Sequence, residues 1–93
     1  MRPSELLLLI LRICDEEGED IEFGEILRIL RARLGIDPPA ELLGLSELPP
    51  RVALARLAKD PRWAAHLREA SAAFVEEKLK EAGPRNANKR PRG

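Results

Sequence analysis

The stretch SELLLLILRIC at residues 4–14 puts apolar side chains at eight of its eleven positions. At helical spacing Leu6, Leu9, Ile10 and Ile13 form one stripe, with Cys14 beside it, and Leu7 and Leu11 form a second. Only the line through Glu5, Arg12 and Glu16 is convincingly polar. A helix apolar on two sides needs two sets of neighbours. Either it lies at the centre of a bundle, or one side, through Leu7, Leu8 and Leu11, meets a partner protein or a second copy of the chain. Ser4 is the expected N-cap, with Glu5 at the positive end of the helix dipole.

Gly18 ends this helix, and a second starts near residues 20–23, or at Gly24 with 21–23 extended. Its buried stripe reads Phe23, Ile26, Leu27, Leu30 and Leu34. Glu22 and Glu25 come early and Arg28, Arg31 and Arg33 late, which suits the dipole at both ends. Gly24 inside the segment costs roughly 1 kcal/mol relative to Ala, and Gly35 is the expected C′ residue. Asp37-Pro38-Pro39 reads as a cap with prolines tolerated in a first turn. A short helix then covers about residues 39–43 and stops at Gly44. Ser46 is the expected cap of a proline-led fourth helix carrying Val52, Leu54, Ala55, Leu57 and Ala58. Asp60-Pro61 repeats the device and opens the longest helix, whose apolar face holds Trp63, Leu67, Ala70 and Phe74, with Val75 and Leu79 drifting round. Gly83-Pro84 is the predicted stop.

The expectation is an all-α fold: a compact bundle of about five helices with Pro/Gly corners. Residues 1–83 form the helical domain, and 84–93 a disordered basic tail without apolar periodicity. Composition agrees, since Thr, Gln and Tyr are absent and strand formers are few. With 93 residues the chain makes one domain of ordinary size. Formal net charge is zero, but the tail holds Arg85, Lys89, Arg90 and Arg92 with no acid, so the body is net acidic. The longest unbroken apolar run, residues 6–11, falls far below the roughly 20 residues that span a bilayer. Neither a signal peptide nor membrane insertion is expected. A lone cysteine fits a reducing, cytoplasmic setting, and its place in the apolar run reads as a buried, inert thiol.

Catalysis needs a nucleophile, base or metal held close together, and the inventory is nearly empty: one His, one Cys and three Ser. His66 is expected to flank the packed face beside Leu67, Ser4 and Ser46 are caps, and Ser71 lies among alanines. No catalytic, cofactor-binding or metal-binding residues are assigned, and no cofactor or small-molecule substrate is indicated. The acidic segment DEEGEDIEFGE fails as a calcium loop: with Gly18 at the sixth position, the first and twelfth become Ile13 and Gly24, which supply no side-chain oxygen.

Residues 18–36, GEDIEFGEILRILRARLGI, resemble the start of a winged-helix or helix-turn-helix domain. The resemblance implies that residues 43–59, LGLSELPPRVALARLAK, supply a recognition helix, with Arg51, Arg56 and Lys59 reaching nucleic acid and Arg85, Lys89, Arg90 and Arg92 adding phosphate contacts. The chain departs from that pattern in the long connection before the third helix and in lacking a wing hairpin. The primary functional expectation is a small non-enzymatic regulatory or adaptor protein acting through protein–protein contacts, with nucleic-acid binding as the alternative.

Overall fold

The computed structural model describes residues 1–18 and 20–89, with side chains as far as residue 81. Among the described residues there are five helices and no strand: α1 (Pro3–Glu17), α2 (Phe23–Leu34), α3 (Ala40–Leu43), α4 (Pro50–Lys59) and α5 (Ala64–Lys89). The backbone of α5 passes Gly83-Pro84. The expected tail at 84–93 falls on residues whose side chains, or whose whole placement from 90 onward, lie outside the described part of the chain. No helix among the described residues is long and apolar enough to cross a membrane.

The helices form close to where the pattern places them, but α5 continues past the predicted Gly83-Pro84 stop, α3 is capped by Pro39 rather than Asp37, and the expected serine caps of α1 and α4 differ as well. Arg2, not Ser4, is the N-cap of α1. Pro3 occupies the first helical position, where its missing N–H removes no intrahelical bond, and the Arg2 backbone N–H donates to the Glu5 carboxylate at 3.0 Å. Ser46 does not cap α4 either: its hydroxyl donates back to the Leu43 carbonyl at 2.7 Å, and Pro49 and Pro50 open α4. In both places a proline fixes φ and sets the helix start without help from a serine. The Asp60 carboxylate accepts from the Arg62 N–H at 2.9 Å, but Asp60 is the C-cap of α4, and residues 61–63 form a turn before α5 starts at Ala64.

One core unites all five elements. It takes Leu6, Leu7, Ile10 and Ile13 from α1, Phe23, Ile26, Leu27 and Leu30 from α2, Leu42 from α3, Ala53 and Leu57 from α4, Trp63 from the turn before α5, and Leu67 and Ala70 from α5 itself. Each large side chain so buried contributes about 1.5–3 kcal/mol. Leu34, expected in the stripe of α2, is exposed, because it is the last helical residue and the chain turns away at Gly35. Val75 and Leu79 are exposed as well. Val75 follows the half-buried Phe74 and so points roughly 100° away from the inward face. On α4 the inward line runs through Pro50, Ala53 and Leu57, which leaves Val52, Ala55 and Ala58 outside.

The two-sided apolarity of α1 is answered within the chain. α1 packs on both α5 and α2. Arg12 forms an ion pair with Glu77, and Lys78 donates to Asp15 at 2.9 Å. Leu8 falls between Arg12 and Asp15 on the helix wheel, so α5 lies over it. Pro3 shares a hollow with Trp63 and His66 at the other end. The two helices therefore run parallel, side by side. Arg33 closes the opposite flank by reaching Glu16 at 3.1 Å.

Candidate functional site

The first turn of α2 leaves backbone N–H groups without intrahelical partners. Glu22, the N-cap, makes no side-chain capping bond. The connection between α3 and α4 supplies the partners instead: Phe23 N donates to the Leu48 carbonyl at 2.9 Å and Gly24 N to the Ser46 carbonyl at 2.8 Å. This approach is close enough to require glycine. A Cβ on Gly24 would meet Ser46 Cβ at 2.8 Å and the Ser46 carbonyl at 3.1 Å.

The docked segment is itself stiff. Leu45 N donates to the Leu42 carbonyl at 2.9 Å, Ser46 N to Leu43 at 3.1 Å and Leu48 N to Leu45 at 3.1 Å. Leu42 is buried in the core, whereas its neighbour Leu43 is 51% exposed. An apolar side chain thus stands on a ridge that is held from both ends. On the α2 side of the ridge lies an open groove of about 670 Å³. Leu27 and Pro38 contribute to its apolar lining together with Leu43, Glu22 and Glu47 border it, and Arg28 and Arg31 also line it. A smaller hollow of about 260 Å³ lies on the α4 side, where Arg56 and Glu47 share the lining.

The charges on the groove are unevenly committed. Arg28 approaches Glu25 at 3.7 Å and Arg31 approaches Asp37 at 3.4 Å, and all four side chains are well exposed, so these pairs hold weakly. Glu22 and Glu47 have no ion-pair partner among the described residues. Glu77 is held below the usual carboxylate range by the hydrogen bond from Arg12, and Asp60 is lowered by its hydrogen bonds from Arg62. They fasten helices and turns rather than line the groove.

No protein-family model, curated protein or solved structure matches the chain.

The structure separates the expected partner-binding residues. Leu7, expected on a partner-contact face, has no exposed surface and lies in the core. Leu8 and Leu11 are half-buried against the core, on the side that α5 covers. Cys14 is half-buried rather than fully buried, in a cleft with Leu11 and Phe74. His66 flanks the packed face, edge-on to Trp63 with ring centroids 6.4 Å apart. Arg51, Arg56 and Lys59 are all exposed on α4. The connection from α2 to α4 runs through residues 35–49 and includes α3, in place of the 3–4-residue turn of a helix-turn-helix. Arg85, Lys89, Arg90 and Arg92 lie beyond the described side chains. Among the described residues no group of three or more His, Cys, Asp or Glu is placed to hold a metal ion. Sequence reasoning missed the groove, whose one visible sign was a glycine in the first turn of an otherwise strong helix.

Proposed function

We propose that this chain is a small non-enzymatic regulatory or adaptor protein of the cytoplasm that takes a peptide segment of a partner protein into the groove beside Leu43. The supporting observation is the exposed Leu43 on a clamped ridge beside an open groove of about 670 Å³. Walls that are ordered before binding lose little conformational entropy on association. An apolar anchor surrounded by charged side chains is the usual anatomy of a peptide-sized interface. Carboxylates interleave with the arginines around the ridge, an arrangement that suits a polypeptide better than a run of phosphates.

The test is selection from a displayed random-peptide library on the immobilised full chain, repeated with Leu43→Asp. Enriched peptides should bind the parent chain and lose about tenfold or more in affinity on the variant. An exposed substitution of this kind leaves stability within roughly 0.5 kcal/mol, so a thermal melt separates lost binding from lost folding. Failure to enrich any peptide, or binding indifferent to Leu43→Asp, would overturn the reading.

A further inference from the structure

We infer that the segment accepted by this groove is cationic at one end, with a Lys or Arg side chain seated between Glu22 and Glu47 and an apolar side chain resting on Leu43. The inference rests on the peptide-docking reading above and specifies its ligand.

Two carboxylates from separate parts of the chain are brought to the same end of the groove. Phe23 and Leu48 are joined by a backbone hydrogen bond of 2.9 Å, and Glu22 and Glu47 are the residues immediately before each of them. Both line the groove, and neither forms an ion pair among the described residues. A helix N-terminus would ordinarily attract an anion through its unpaired N–H groups. Here the Ser46 and Leu48 carbonyls already accept from Gly24 and Phe23. What remains at this end is negative charge without free donors on those two residues, so a phosphate or carboxylate is disfavoured and an ammonium or guanidinium is favoured.

Geometry assists the choice. An apolar ligand side chain laid against Pro38 and Leu43 would displace water there, which strengthens a charge pair formed at its edge relative to one in bulk solvent. Arg28 and Arg31 line the same groove, but each approaches a carboxylate that lines it too, Arg28 that of Glu25 at 3.7 Å and Arg31 that of Asp37 at 3.4 Å, which leaves Glu22 and Glu47 as the groove carboxylates without an ion pair among the described residues.

Two fluorescein-labelled synthetic peptides test this on the full chain: Lys-Lys-Gly-Leu-Ala-Leu-Gly-Gly, and the same sequence with both Lys replaced by Glu. Anisotropy titration should show the lysine peptide binding about three- to tenfold more tightly, the range of one or two partly exposed pairs. The advantage should shrink as salt is raised. Glu22→Lys with Glu47→Lys should reverse the preference. Glu47→Gln, on the connecting segment and away from the α2 N-cap, should reduce it on its own even where the double variant folds poorly. Equal affinity for the two peptides, or library-selected binders that depend on Leu43 yet carry no basic residue, would overturn this inference and leave peptide docking standing. An absence of any selected binder would overturn both.

Discussion

At Gly24 the backbone of α2 comes so close to the segment after α3 that an added methyl group has no room. The nearest obstacles are the Cβ and carbonyl of Ser46, which are themselves held by hydrogen bonds. Alanine has the higher helix propensity, worth about 1 kcal/mol, yet Gly24→Ala should destabilise the fold by about 1–3 kcal/mol through overlap, read as a lower thermal midpoint. Gly18 and Gly35 differ for another reason. Gly35 adopts the left-handed helical conformation, φ 66° and ψ 24°, which asparagine also tolerates. Gly18 has φ 84° and ψ −168°, a region essentially confined to glycine. Gly18→Asn should therefore cost clearly more than Gly35→Asn, by about 1–2 kcal/mol in urea unfolding. Both glycines were legible as helix stops in the sequence. The reason for Gly24 was not, because its obstacle comes from residues more than twenty positions away.

The helices themselves were readable because Pro and Gly punctuate the apolar periodicity at nearly every corner. The caps were less so. Ser4 and Ser46 have the right chemistry, but Pro3 and Pro50 sit where they determine the first turn. How α1 and α5 are tied together could not be read at all, since the spacing of Arg12 and Asp15 on α1 does not reveal which helix carries Glu77 and Lys78. That tie has a pH signature. Glu77 titrates lower in the folded chain than in the unfolded one, chiefly because Arg12 hydrogen-bonds it. Its contribution to stability is present above the usual carboxylate range and is lost as pH falls through the folded value. Lys78 is raised, mainly by its hydrogen bond to Asp15, so its contribution is present below the ordinary lysine range and disappears as pH rises through the folded value. Glu77→Gln should flatten the acid limb of the stability profile below about pH 5 and leave the alkaline limb unchanged, as followed by urea midpoints across pH.

Over the whole molecule, the single tryptophan is a built-in reporter. Trp63 is buried where the turn before α5 meets the core, close to Pro3 at the start of α1. Leu7→Ala, at a site with no exposed surface, should lower stability by about 2–5 kcal/mol. Trp63 fluorescence and far-UV circular dichroism should then shift together if the five helices unfold as one unit. Leu79→Ala, on the outer face of α5, should change it by no more than about 0.5 kcal/mol. The groove belongs to this scale too. It forms where residues 22–31 meet residues 37–47, and no local pattern announces that meeting. Only the misplaced-looking Gly24 hinted at it.

The side-by-side, parallel course of α1 and α5 also matters while the chain is being made. Two parallel neighbours cannot be joined by a tight hairpin, so everything from α2 to α4 must be synthesised before α1 receives its second cover. At about 5–20 residues per second, the greasiest segment of the nascent polypeptide waits several seconds half-clothed outside the ribosome. Apolar surface left open in this way is prone to aggregate, so slowing translation after α4 should raise the aggregated fraction of newly made protein.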